Sequence, residues 1–235
     1  MPRMICKNCS TEHNVTLTIC PRCGCDRNAP LKGFAPSVVI EGPDAESGEH
    51  VLRVDDPSGV RSVARRSDEG RVSLQVTGAA GIGRPGEGRS AHTFKEFLLR
   101  GGFEADIRDG NDAEGVDRIL DVDGSTFVLQ FTIAVQAPDF WRQASVSSAN
   151  TQVAQPDAAS WLRQAILSKR EAPKAHDLPT ILVIDARHAA PVAHVDVVRE
   201  YLSSHAEPVD EFGFSSVWLV GPTADHCCRI GKGRP

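Results

Sequence analysis

Two cysteine doublets near the start of the chain, Cys6-Lys-Asn-Cys9 and Cys20-Pro-Arg-Cys23, constrain its fold more than any other feature. In each doublet two residues separate the thiols, so both sulfurs can approach one point from the same side of a tight turn. Two such turns supply four thiolates, the tetrahedral sulfur shell that Zn2+ prefers. Ten residues lie between the doublets, a short span but enough for a hairpin. Four thiolates leave no coordination position for substrate, so the expected Zn2+ is structural. Cys25 is a fifth nearby thiol that could compete as a ligand. His13 could compete too, although a loop histidine is more often simply solvated.

Gly24 follows the second doublet, where tight turning helps backbone amides reach the sulfurs. Asn14–Ile19 alternates apolar and threonine side chains, as a strand between two knuckles should. The run Cys20-Pro-Arg-Cys23-Gly24 resembles the knuckle of the zinc ribbon family, over residues 1–27 only. Those residues hold five of the seven cysteines. The other two, Cys227 and Cys228, are adjacent and poorly placed to share one metal. They read as a buried thiol beside an exposed one.

With 235 residues the chain can form one ordinary domain and a small one. No run approaches the ~20 apolar residues that span a membrane. Met1–Cys6 lacks the apolar segment of a secretory leader. The expected location is the cytoplasm, where thiols stay reduced and serve metals. A net charge of −5 argues against coating long stretches of nucleic acid. Residues 1–34 carry five Lys/Arg against two Asp/Glu, a net +3, leaving −8 for the rest. A basic module on an acidic body could contact a polyanion locally; chance asymmetry in a short segment explains the numbers equally well.

Three regions follow from the pattern: a zinc ribbon at 1–27, a small β-meander with linker at 28–89, and an α/β domain at 90–235. In the second, Ser37–Glu41, His50–Asp55, Val60–Arg65 and Arg71–Thr77 alternate as strands between turn signals. Gly78–Arg89 reads as linker. It contains Gly81-Ile-Gly83-Arg-Pro-Gly86, a literal GxGxxG. A dinucleotide site needs a helix opening inside that run, and Pro85 with the Gly/Arg-rich stretch is expected to delay any helix to Ser90. From Ser90 a helix carries Phe94, Phe97 and Leu98 on one face. Strands are expected at Phe103–Arg108, Val116–Val122, Thr126–Ala134, Thr180–Asp185 and Ser216–Val220, with Asp123-Gly124 as a hairpin turn. Helices are expected at Pro156–Arg170 and Val195–Leu202. Helices alternating with strands define an α/β layer fold.

Within Phe94–Val135 a helix ends in Leu-Leu-Arg-Gly-Gly-Phe. An Asp/Gly-rich loop follows, then Gly115-Val116-Asp117, a hairpin and Phe127-Val-Leu-Gln-Phe-Thr-Ile133. This order resembles the core of the PD-(D/E)XK nucleases, specifically the Mrr-like restriction endonucleases. The resemblance implies a restriction-endonuclease-like mixed sheet flanked by helices. It implies a divalent cation, Mg2+, held by Asp117 and Gln130, with a lysine that orients water or stabilises developing charge. Two positions depart from the family. Its lysine position is Thr132, and the start of the leading helix, which often carries a glutamate, reads Ser90-Ala91-His92. Glu96 lies roughly 200° around the helix from Phe94 and reads as a surface acid. Lys169, at the end of the Pro156–Arg170 helix, could supply the missing ammonium, as a later helix does in some members. The simpler reading makes Lys169 and Arg170 charges favoured by the helix dipole. Lys169 continues the stripe of Leu162 and Ala165, whereas Arg170 turns away from it. Asp185, which ends an apolar run, and His188 and His194 also stand out; the histidines read as surface residues.

Two functional readings follow. One is a DNA-associated, Mg2+-dependent phosphodiesterase using Asp117, Gln130 and Lys169. The alternative is a catalytically inactive nuclease-like scaffold that binds a protein partner through the ribbon or the acidic body. Neither involves a membrane. Position decides between them: a catalytic Lys169 must lie within about 6 Å of Asp117, where opposite charges couple.

The paired doublets also set an expectation for the ribbon. Freshly purified, chelator-free protein should carry one equivalent of zinc. Cys20→Ser should release it and unfold residues 1–27 while the larger domain stays folded, because metal binding and folding of so small a module are one event. Metal analysis giving under about half an equivalent for wild type would contradict the ribbon.

Overall fold

The computed structural model describes residues 3–5, 12–14, 38–44, 47, 49–56, 60–78, 84–111, 115–134, 138–146, 148–172, 177–188 and 212–232. The chain divides into two units, 1–36 and 37–235. In the first, β1 (Arg3–Ile5) pairs antiparallel with β2 (Glu12–Asn14), placing Arg3 opposite Asn14. The first cysteine doublet falls between these strands in the sequence. Cys6, Cys9, Cys20 and Cys23 lie outside the described residues, as does the expected strand beyond Asn14.

The second unit begins with β3 (Val38–Pro43), β4 (His50–Asp55), β5 (Arg61–Arg66) and β6 (Arg71–Thr77). Then come α1 (Arg84–Arg100), β7 (Ala105–Asp109), β8 (Arg118–Val122), β9 (Ser125–Ile133), α2 (Pro138–Val146), β10 (Ser148–Ala154) and α3 (Gln155–Ser168). It ends with β11 (Thr180–Asp185), β12 (Phe214–Val220), a 3-10 turn at Ala224–His226 and β13 (Cys227–Lys232). The expected helix at Val195–Leu202 lies outside the described residues.

The strands form two sheets. The meander β3 to β6 is antiparallel throughout, and β10 adds beside β6 to give the order β10-β6-β5-β4-β3. The other sheet has the order β13-β12-β11-β9-β8-β7. In it β7, β8 and β9 run antiparallel, whereas β9, β11 and β12 are mutually parallel. The α/β class and the mixed sheet are as expected. Asp123 (φ 47°) and Gly124 (φ 77°) make the tight β8–β9 turn, the positive-φ geometry that suits right-twisted strands.

Helix α1 opens at Arg84, six residues ahead of the expected Ser90. Pro85 suits a first helical turn, where its missing N–H is no loss, and Glu87 complements the positive helix end. Ser90 is therefore a buried mid-helix residue and not the start of the helix. The helix does open inside the GxGxxG run. The dinucleotide reading fails on topology instead: β6 is an antiparallel strand and the next strand, β7, belongs to the other sheet.

Burial explains the layering. Central strand β11 is buried from Thr180 to Ile184, so both faces of the mixed sheet need cover. On one face Ile181, Val183, Leu129 and Phe131 pack against Phe94 and Leu98 of α1. On the other, Leu182, Ile184, Val217 and Leu219 join Phe140 of α2, Leu162 and Ile166 of α3, and Val72, Leu74 and Val76 of β6. One core thus contains residues of the meander, two helices and the mixed sheet.

A shared core should unfold as one. Leu74, 1% exposed, lies in the meander, and all three tryptophans (Trp141, Trp161, Trp218) lie beyond it. Leu74→Ala should cost about 2–5 kcal/mol and shift the denaturant midpoint read by tryptophan fluorescence in a single transition. A tryptophan transition at the wild-type midpoint would mean that the two parts fold separately.

Candidate active site

The loop before β8 is pinned at Gly110. Its N–H donates to the Asp117 carbonyl at 3.2 Å. A Cβ on Gly110 would fall 2.2 Å from the Val116 carbonyl oxygen, so only glycine permits this approach. Val116 is buried and Gly115 takes φ 70°. Asp117 then stands one residue ahead of β8, where its Oδ2 accepts the Phe131 N–H of β9 at 2.8 Å.

Gln130 sits between Leu129 and Phe131, which face α1; strand alternation turns Gln130 to the opposite side. It is only 3% exposed, so its amide needs partners. Its Nε2 donates to the Gly115 carbonyl, and its Oε1 accepts from Lys169 Nζ at 3.5 Å. The same Nζ lies 3.9 Å from Asp117 Oδ2. Lys169 directly follows α3, held by a turn bond from its N–H to the Ile166 carbonyl at 3.1 Å. Arg170 is exposed, as the helical stripe requires. Asp117, Gln130 and Lys169 therefore meet, and the lysine satisfies the 6 Å criterion. Thr132 stands next to the helix end that delivers Lys169, its Oγ1 3.4 Å from Ser168 Oγ. Asp117 Oδ1 has no protein partner among the described residues. The neighbouring carboxylates differ: Asp121 binds Thr126 and Arg108, and Asp123 accepts the Glu104 N–H.

A second polar cluster was not legible. Arg187, 3% exposed, donates from Nε to Ser90 Oγ at 3.0 Å and from Nη2 to Asp185 Oδ2 at 2.9 Å. Its Nη1 lies 3.8 Å from Asp56 Oδ2. Asp56, which follows β4, also bonds Arg89 of α1. His188 is 6% exposed, not a surface residue. Its Nε2 lies 4.0 Å from Asp56 Oδ2, and its Nδ1 has no hydrogen-bond partner among the described residues. Burial, reinforced by Arg187, pushes the imidazole down to about 4. Burial would raise Asp185, but the Arg187 charge and hydrogen bonds hold it below the ordinary carboxylate value. The cluster joins the meander, α1 and the end of β11, which no local pattern announces.

His194 lies outside the described residues. Glu96 pairs with Arg100 one turn on, half-exposed as expected of a surface acid. Cys227 and Cys228 are both partly buried, because β13 turns one toward each covered face of the mixed sheet. With α1 starting at Arg84, the acidic residue of its first turn is Glu87, a position that the linker reading hid.

No protein-family model matches the chain, and no curated protein matches it. Among solved structures, Pyrococcus furiosus SfsA in complex with Ca2+ is 12% identical, covering 85% of this chain and 96% of that chain, with a TM-score of 0.26. A score that low transfers neither fold nor function. No described helix is long and apolar enough to cross a membrane.

The buried cluster sets a pH dependence. Free His188 would titrate near 6.5 but in the fold only at about 4, so between these values the unfolded chain binds the extra proton. Stability should be unaffected above that window and fall by on the order of 3 kcal/mol as pH drops through it. The depressed Asp185 adds loss in the same direction at lower pH. His188→Gln should flatten the urea-midpoint curve between pH 6.5 and 4. An unchanged slope would place the titrating group elsewhere.

Proposed function

We propose that residues 37–235 form a Mg2+-dependent phosphodiesterase acting on DNA. The observation that carries this reading is the lysine ammonium 3.9 Å from Asp117 and 3.5 Å from Gln130. A carboxylate, an amide oxygen and an ammonium from three separate segments converge there, and a solvated helix-end lysine would have no reason to join them.

The donors suit Mg2+ in kind, since Asp117 Oδ1 and Gln130 Oε1 are hard oxygens. They are few: among the described residues no three His, Cys, Asp or Glu side chains group as metal ligands. Mg2+ commonly accepts one or two protein oxygens and completes its shell with water and substrate phosphate. When bound, it would polarise the phosphate and favour a hydroxide nucleophile. The chain's own contribution is positional. The Phe131 N–H fixes the Asp117 carboxylate, the Gly115 carbonyl fixes the Gln130 amide, and Lys169 directs positive charge to where phosphoryl oxygens gain negative charge. Thr132 cannot supply that charge from the strand, and Lys169 replaces it from the helix.

We infer that residues 1–27 add a structural zinc ribbon. Its support is the doublet spacing together with the β1–β2 pair that brackets the first doublet.

Plasmid cleavage tests the reading. Wild type should nick or linearise supercoiled DNA with Mg2+ or Mn2+. Asp117→Ala and Lys169→Ala should each lower the rate by at least about a hundredfold, with DNA binding largely kept for Lys169→Ala. Plasmid left intact by wild type in both metals would end the enzymatic reading and leave the protein-binding scaffold.

A further inference from the structure

The five-stranded sheet has one covered face and one open face. Along β6, Val72, Leu74 and Val76 are buried, whereas Arg71, Gln75 and Thr77 are exposed. The same alternation turns Arg53 of β4 and Arg65 of β5 outward, between buried neighbours Leu52 and Val54 on one strand and beside buried Ala64 on the other. Arg53 stands opposite Val63, and Arg65 opposite Val51. The two arginines are thus diagonal neighbours, about 7–8 Å apart at the backbone. Arg61, on the same face, is held by Asp55. Neither Arg53 nor Arg65 has a partner among the described residues.

Two unpaired guanidinium groups side by side repel each other, and an anion relieves that repulsion. The surplus is local, because the whole chain is net −5. Guanidinium is also the cation best shaped for phosphate. Strands β3 to β6 and β10 contain no Phe, Tyr or Trp, so the face offers no platform on which unpaired bases could stack. It offers charge and neutral hydrogen-bonding groups, Ser73 across from Arg65 and Gln75 across from Val63, beside the apolar Val51, Val63 and exposed Ile40.

We propose that this outward face binds the phosphate backbone of duplex DNA, with Arg53 and Arg65 on neighbouring phosphates and Ser73 and Gln75 on adjoining oxygens. Contacts of this type position a duplex without reading its sequence. The proposal rests on the reading of DNA as substrate and adds where the duplex is held, away from Asp117 and Lys169.

The test is full-length protein binding a labelled duplex over a range of salt. Replacing both arginines (Arg53→Ala with Arg65→Ala) should weaken binding and lower the slope of log affinity against log salt by about 2, one per lost phosphate contact. The double lysine replacement keeps the charge and should keep most of the slope, which separates charge loss from damage to the sheet. If wild type binds and cleaves but the double alanine variant keeps affinity and slope, the face is wrong and the nuclease reading stands. If the slope falls as expected but wild type never cleaves, the face stands and catalysis is lost. A wild type that does not bind duplex DNA overturns both.

Discussion

Strand β11 presents buried side chains on both faces, and the arrangement of the second unit follows from that demand. Ile181 and Val183 need one apolar partner layer, and Leu182 and Ile184 need another. Helix α1 supplies the first. The second is too broad for α2 and α3 alone, so the apolar side of the five-stranded sheet completes it. An antiparallel meander has one apolar face to bury, and here it finds its complement across two helices. Each buried Leu or Ile is worth about 1.5–3 kcal/mol over exposure, so the layers depend on one another.

Against this apolar background the buried charged and amide groups stand out, and Asp56, Gln130 and Arg187 are each bound. Gln130 would be costly in its strand without the Gly115 carbonyl and Lys169. Asp56 and Asp185 would be costly without Arg187 and Arg89. An unpaired buried charge costs several kcal/mol, so these pairs fix which segments meet. Asp56 can sit only where the arginines of α1 and of the β11 end converge. Among the described residues three buried atoms have no hydrogen-bond partner: Ser62 Oγ, Arg118 Nε and His188 Nδ1.

Much of this was legible. The runs His50–Asp55, Arg71–Thr77 and Thr180–Asp185 coincide with β4, β6 and β11, because alternation and continuous burial leave clear patterns. Asp117 and Gln130 were singled out by the resemblance to a nuclease core and Lys169 by its place on an inward helical stripe, and the fold brings the three side chains together. Strand β10 escaped because Ser-Ala-Asn-Thr-Gln-Val-Ala is too polar to announce a strand, and its place beside β6 comes from tertiary pairing. The start of α1 was hidden by glycines that lower helix propensity and a proline whose role depends on its position. His188 read as surface because its neighbours are polar, and burial by Asp56 and α1 is a long-range fact.

Strand β10 runs into α3 without an intervening residue. The five-stranded sheet and Lys169 are therefore the two ends of one lever. Helix α3 has 14 residues and so spans about 21 Å. Tilting the sheet by only about 3° would carry the far end through roughly 1 Å. Force applied at one sheet would thus be felt as lysine alignment at the other.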